Sequence, residues 1–504
     1  MATGGTGVVE KHAPEKPSPS EGVWSGLLSG VRFANECHRG PLFSTTAQKI
    51  LVVLTLAGLL LRFWHIGDIS FWYDEAATAV IARGTLFEIW NSVLYDRNPP
   101  TFYWIEHFML FFGSGEAVLR FIPALIGTCT IPVFYLLGKE FHNRTTGILA
   151  AALLTFSAFH ISYSQEARPY TLFLCSFSLA LLFCFRAGRT DAPRTWLLFG
   201  LFSALACWSH LFGFVMVLPL FLMAFVSAYR HGKDGFSALR PVFLAAAVWF
   251  LFSLPMAAST LYAGFLTPSA GSWGLQNIHV ITSVLWFQLG QNYLAVMCLF
   301  IVFLSGLFLL YRDNRERFFF IAAGIGLRVC MTIAIATRMT VASQYLIGLL
   351  PFFCLVTAYC ISTIDRPVLM FRLSCIALLV LVAISVPSLC WYYTADAKNG
   401  QDWRGFAQTL ENQTEAGDMI LVFPQFYTDA LEYYYDNGTD RTTLHGIEDR
   451  TALEIRVIQN PERRRYLVTV GNITGYRTPG ISQWAAEHTA LSGQYRELYL
   501  YRVT

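Results

Sequence analysis

The sequence predicts a polytopic α-helical membrane protein of about eleven transmembrane helices, with a C-terminal α/β domain outside the membrane. Three observations predict it. Of 504 residues, 55% are hydrophobic and 14% charged, and the mean hydropathy is +0.46, too apolar for an ordinary soluble domain. Apolar stretches of about 18 or more residues recur along the chain, long enough to cross a hydrocarbon core. After Thr394 the composition becomes that of a soluble domain. The net charge of +3 is too small to point to nucleic acid as a partner.

Residues 1–46 are rich in Gly, Pro, Ser and Lys and lack a signal-peptide core, so they read as a disordered cytoplasmic tail. The membrane domain spans 47–394. Its first span, Ile50 to Ile66, acts as an uncleaved anchor, and later spans start near Ala117, Gly147, Tyr170, Trp196, Leu211, Pro241, Tyr293, Phe318, Tyr345 and Arg372. The 11 cysteines lie mostly within these segments, and none follows Cys390. They read as buried thiols rather than disulfides or metal ligands.

Alternate connections carry an excess of Lys and Arg: "KEFHNR", "RAGRTDAPR", "YRHGKDGFSALR", "RDNRER" and "DRPVLMFR". The positive-inside rule puts these in the cytoplasm. The other set then faces outward: the first loop, 67–116, "HISYSQEARPY", "SHLF", "RMTVASQ" and the domain 395–504. The unusual polar residues thus collect on one side. In the last domain "DWRGFAQTLENQ" and "YTDALEYYYDN" read as helices, and "DMILVF", "RRYLVTVG" and "YRELYLYRV" as strands. No internal repeat of the transporter kind is visible.

Several outward residues have chemistry to offer. Asp74 and Glu75 sit side by side in "FWYDEAATAV". A carboxylate there can take a proton from an attacking hydroxyl; equally, Asp74 can cap the following helix with Glu75 in its first turn. In "YDRNPPTFYWIEHF" the double proline after Asn98 forces an extended entry into an aromatic helix. Glu166 and Arg168, in "SYSQEARPYTL", are two apart and so reach different partners; an arginine there suits a phosphate, and the alternative is an interfacial anchor cluster. His210 stands alone between apolar spans, where a structural histidine is the commoner case. Arg338 lies at an outward helix end. Arg328 falls mid-span, at a cost of about 2.5–3.5 kcal/mol, and needs a partner or a polar cavity.

In this order, "WYDEAATA", "NPPTFYWIEHF", "SGEAVLRFIPALIGTCTIPVFYLLGKEF", "SQEARPYTL", "SHLFG", "QYLIGLLPFFCLV" and "DWRGFAQTL…AGDMILVFP" resemble the GT-C class of membrane glycosyltransferases. The resemblance is to the family-39 group of protein O-mannosyltransferases and lipid A aminoarabinose transferases, in their bacterial form. It covers the chain from Lys49. It implies a bacterial inner-membrane protein with its N-terminus in the cytoplasm and its last domain outside. The donor implied is a sugar on polyprenyl phosphate, and the acceptor a lipid, glycan or protein hydroxyl. Asp74 matches the acid of the family's Asp-Glu motif, taken as general base or acceptor-orienting group, and Glu75 its second residue. Glu166 and Arg168 match a motif near the donor. With them, Arg338 and His210 are the donor and phosphate candidates, and Tyr73, Asn98 and Tyr103 the substrate-loop candidates. Related sequences usually carry His at Asn98 and Arg at Gln344, so Arg338 is the alternative phosphate contact. A divalent metal is a candidate cofactor, since members of the class differ in this. The implied reaction inverts the anomeric centre. The competing classes are a flippase or transporter for a lipid-linked sugar, which predicts polar residues along a central path, and a non-catalytic member of the same fold.

Overall fold

The computed structural model describes residues 45–96, 99–190, 192–231, 238–266, 279–288, 293–337, 341–363, parts of 376–393, 401–415, 417–435, 444–476 and 480–504. The first span is α1 (Thr45–Phe63). The outer loop folds into three short helices, α2 (Tyr73–Ala82), α3 (Leu86–Asp96) and α4 (Thr101–Met109). Then come α5 (Phe121–Phe141), α6 (Arg144–Thr155), α7 (Ala158–Ser164), α8 (Tyr170–Thr190), α9 (Pro193–Ser209) and α10 (Phe212–His231). The bundle continues with α11 (Arg240–Leu266), α12 (His279–Gln288), α13 (Tyr293–Asp313), α14 (Arg315–Ala336) and α15 (Leu350–Ser362).

Among the described residues eight helices are long and apolar enough to cross a membrane, and the bent pair α6–α7 makes a ninth. At 17 residues, α9 falls just short of that length. The last expected span, from Arg372, lies largely outside the described residues. The span expected from Gly147 is therefore not one straight helix. It breaks by 61° between α6 and α7, where Ser157 caps the second piece by accepting from His160 N–H. At the crossing of α5 and α6 the backbones touch: a Cβ on Gly138 would lie 2.7 Å from Gly147 Cα, so only glycine fits.

Three of the basic connections meet at one end of the bundle. Arg186 and Arg189, at the end of α8, both pair with Glu140 at the end of α5. Arg317 of α14 lies over the Phe141 ring, and Ser362 of α15 bonds Thr146 of α6 at 2.7 Å. The other end carries the folded outer loop. There Trp90 of α3, Trp104 of α4 and Trp208 of α9 cluster with centroids 6.2, 6.0 and 6.0 Å apart.

The C-terminal domain is a five-stranded sheet in the order β2-β1-β3-β5-β4: β1 (Met419–Phe423), β2 (Leu444–Gly446), β3 (Arg465–Val470), β4 (Thr489–Tyr495) and β5 (Leu498–Val503). Strand β1 is parallel to both neighbours and buried along its length, as a central strand covered on two faces must be. Helices α16 (Trp403–Glu411) and α17 (Thr428–Tyr434) pack on one face, α18 (Arg450–Gln459) and α19 (Ile481–His488) on the other. Asp402 caps α16 by accepting from Gly405 N–H. "YRELYLYRV" is not one strand: the chain turns at Arg496 (φ +55°) and Glu497, making a hairpin whose first arm, β4, is mostly exposed.

This domain docks on the outer loop. Phe71, Ala76, Ala79, Leu119 and Ala167 share one apolar cluster with Trp403, Phe406 and Leu431. Tyr434 Oη accepts from Phe71 N–H and donates to Glu116, both at 2.7 Å, and Arg404 pairs with Glu116 at 3.3 Å.

Candidate active site

Helix α2 organises the site. It starts at Tyr73, so Asp74 is not its N-cap; the residue that reaches back is Glu75, whose Oε2 lies 3.4 Å from Trp72 N. Adjacent positions on a helix point about 100° apart, and the two carboxylates accordingly go to different neighbours.

Glu75 turns inward. Arg120, at the start of α5, donates to it twice, from Nε at 2.8 Å and Nη2 at 2.7 Å, and Ala167 N–H donates at 2.7 Å. The remaining Arg120 donors go to the carbonyls of Ile66, Ile69 and Ser70. All five N–H groups of that guanidinium are thus used, and both partners are nearly inaccessible. This pair ties the outer loop, α5 and the 165–169 turn together.

Asp74 lies on the other side, its side chain 26% exposed and one oxygen 3.7 Å from Arg168 Nη2. Arg168 Nη1 donates to the Asp74 carbonyl at 3.2 Å and to Thr78 Oγ1 at 3.1 Å. Arg168 Nε is buried without a hydrogen-bond partner among the described residues. Behind it stands His210, which stacks on Phe173 and whose Nδ1 accepts from Phe212 N–H at 3.1 Å. Burial, with Arg168 adding to it, pushes that imidazole down to about 3, so it is neutral with its proton on Nε2. Tyr103 is buried on α4.

The turn between α7 and α8 holds Glu166 and Arg168 in place. Gln165 donates to the carbonyls of Leu61, Arg62 and Trp64 and accepts from Tyr392 at 2.7 Å. Arg168 then turns toward Asp74, and Glu166 toward a separate cleft of about 290 Å³. The cleft lies where the membrane domain meets the C-terminal domain. Its walls include Trp72, Glu75, Arg120, Glu166, Gln344, Gln401 and Glu497. Tyr73 lies edge-on to Tyr427 of the C-terminal domain, and burial pushes its hydroxyl up to about 12. Asn98 and Arg338 lie outside the described residues.

Three residues were not singled out as site residues or were left without a partner by sequence reasoning. Glu106, on α4, is fully buried, and neither carboxyl oxygen has a hydrogen-bond partner among the described residues. Burial, with Glu75 adding to it, raises its carboxyl well above the usual range. The "WIEHF" stretch carried that signal, an acid within an apolar helical stripe. Arg62, near the end of α1, fills the α6–α7 break, donating to the carbonyls of Leu154 and Thr155 and bonding His160 Nδ1 at 2.7 Å. Arg328 finds its partners in backbone: it donates to Gly324 O at 2.7 Å and Met216 O at 2.6 Å, between the rings of Phe177 and Phe352.

No three His, Cys, Asp or Glu side chains among the described residues gather as a metal ion needs. Glu75 is saturated by Arg120 and Ala167, so the Asp-Glu pair does not offer two ligands to one ion.

The family described as dolichyl-phosphate-mannose-protein mannosyltransferase matches residues 96–258. An uncharacterized protein of Aquifex aeolicus is 27% identical over 220 residues, 41% of this chain and 44% of the relative, so the match spans less than half of that protein. Among solved structures, ArnT from Cupriavidus metallidurans bound to undecaprenyl phosphate superposes with a TM-score of 0.61 at 12% identity, over 91% of this chain and 98% of that one. The oligosaccharyltransferase AglB from Archaeoglobus fulgidus, solved with an inhibitory peptide and a dolichol-phosphate, gives 0.52 at 13% identity, over 85% and 70%. The chain resembles these proteins in fold, that of a GT-C membrane protein with a small C-terminal sheet domain.

Proposed function

We propose that the protein is an inverting glycosyltransferase that moves a sugar from a polyprenyl-phosphate donor to an acceptor hydroxyl at the outer face of the membrane. The observation that carries this reading is the division of labour on α2: Glu75 is locked in structure, whereas Asp74 stays accessible beside an arginine with an unused donor. The match to a mannosyltransferase family and the fold shared with a protein that holds undecaprenyl phosphate support the same chemistry.

The acceptor oxygen attacks the anomeric carbon as its proton passes to an Asp74 carboxylate oxygen. The bond from the anomeric carbon to the phosphate oxygen breaks, and its electron pair leaves with the phosphate. That leaving group is already a stable anion and needs charge rather than a proton. Arg168, whose Nη2 lies 3.7 Å from Asp74, supplies it. Neutral His210 keeps a second cation away from Arg168 and holds the adjoining backbone.

The flippase alternative rests on intramembrane charge. Arg328 and Arg62 instead bond backbone carbonyls inside the bundle, a structural use that lines no path.

The test is sugar transfer by protein reconstituted in lipid, with a panel of polyprenyl-phosphate sugars, comparing wild type with Asp74→Asn. Wild type transfers from at least one donor with inversion at the anomeric carbon. Asp74→Asn loses about a hundredfold or more, a general-base contribution, with unchanged thermal unfolding. Equal transfer by both removes Asp74 from the chemistry. Translocation of the lipid-sugar without transfer establishes the flippase instead.

A further inference from the structure

We propose that the first outer loop is seated in the bilayer: one face of α3 and α4, with Phe87, Phe108, Phe111 and Phe112, lies among the acyl chains of the leaflet on the site side. The inference stands on the packing of the loop and does not need the transferase reading.

Two observations carry it. The first is that α4 is apolar on both faces and only one of them is covered. Phe102, Tyr103 and Glu106 are buried, on the side packed against α2 and α3. Trp104 and Phe108, one turn apart, take the opposite side, and the helix runs on directly into a short turn that holds Phe111 and Phe112. Those two are 76% and 79% exposed, and Phe87 on α3 is 72% exposed. Bare phenylalanines gathered in one loop need an apolar partner.

The second observation gives the height of that face and so names the partner. Trp208 of α9 donates to Phe252 O of α11 at 2.6 Å, and the rings of Trp90 and Trp104 lie against Trp208. Trp104 in turn donates to Leu86 O at 3.1 Å, beside Phe87. The loop is thereby tied to two spans. Phe252 lies about 18 Å along α11 from Arg240, and the apolar run continues to Ser259, about 10 Å further. Trp208 lies about 22 Å along α9 from Pro193. In a hydrocarbon core of about 30 Å both heights fall inside, on the site side of the midplane. Bare α11 residues such as Phe250 continue the same surface. A soluble protein does not reach that depth, so the occupant is lipid. Glu88, next to Phe87, turns its carboxylate back onto Thr85 N–H and Oγ1, at 2.8 and 2.9 Å, as suits a charge at the headgroup boundary. Since the covered face of α4 backs α2, the seat fixes the height of Asp74 against the leaflet.

The experiment is photocrosslinking of full-length protein in nanodiscs of palmitoyl-oleoyl phosphatidylcholine. The probe, p-benzoylphenylalanine, keeps the phenylalanine core and replaces Phe87, Phe111 and Phe112 one at a time. Phe250, bare on α11, is the membrane reference, and Leu491, bare on β4, the aqueous one. After irradiation, mass spectrometry should find one phospholipid joined through its acyl chain at each of the three loop positions, as at Phe250, and none at Leu491. Loss of the adduct at all three loop positions while Phe250 keeps it overturns the proposal. Attachment through the headgroup alone also overturns it, because the loop then rests above the chains. A crosslink to a second copy of the chain does the same, by making the patch a subunit interface. Lipid adducts on a protein that transfers no sugar retire the transferase and keep the seat.

Discussion

Two neighbouring carboxylates do different work because a helix sends them in different directions. Both were legible in the sequence as chemistry-bearing residues, but not which was spent on structure, because that depends on Arg120 arriving from another element. The difference is measurable. Glu75→Gln or Arg120→Met breaks a buried, fully bonded pair and lowers stability by about 3–5 kcal/mol, whereas Asp74→Asn stays within about 0.5 kcal/mol. Thermal unfolding in detergent separates them, and equal losses for Asp74 and Glu75 would mean that the division does not exist. Glu106 gives a pH signature. Its carboxyl is raised in the fold, so the folded state holds a proton that the unfolded chain releases near its ordinary value. Stability is then full below about pH 4.3 and falls as pH rises toward the raised folded value, by about 1.4 kcal/mol per unit. Glu106→Gln removes that slope and is more stable than wild type at pH 7. A wild-type melting temperature that is flat between pH 5 and 8 would show Glu106 to be ionised or solvated.

At the scale of elements, span positions and the helices of the last domain follow from hydrophobic periodicity, since most apolar runs are bounded by charge or proline. What periodicity misses are features set by distant residues. The α6–α7 break lies inside an apolar run, and the group that stabilises it, Arg62, is 92 and 93 residues away from the carbonyls it serves. The hairpin turn at Arg496 interrupts a stretch whose alternation continues across it, and β4 is mostly exposed, so no apolar pattern announced it. Arg62→Met should therefore act on the element rather than on the chemistry. It leaves two buried carbonyls and His160 without their donor, for a loss of about 2–4 kcal/mol. Arg62→Lys recovers part of it, as a single ammonium reaches fewer acceptors. Urea or thermal unfolding reads both variants; a stable, active Arg62→Met would show that the bend holds without its arginine.

For the whole molecule, the decisive asymmetry is between its two ends. Three of the basic connections converge around Glu140 and Phe141, while Asp74, Arg168, the cleft and the sheet domain share the opposite end. If positive charge stays inside, donor and acceptor meet outside, where no nucleotide sugar is at hand and a lipid carrier is the natural source. Cysteines added one at a time test this. Ser492, exposed on β4, and Arg312, whose exposed pairing with Asp313 contributes little, both tolerate replacement. In intact spheroplasts an impermeant maleimide should label Ser492→Cys and leave Arg312→Cys untouched until the membrane is opened. Labelling of the parent chain sets the baseline, since the chain has cysteines of its own, Cys129 and Cys330 among them exposed. The reverse pattern would turn the molecule over, put Asp74 in the cytoplasm and remove the reason for a polyprenyl-phosphate donor, because soluble activated sugars are available on that side. Labelling of neither would show Ser492 to be covered, and the same experiment at Glu487, on the exposed surface of α19, then decides the orientation.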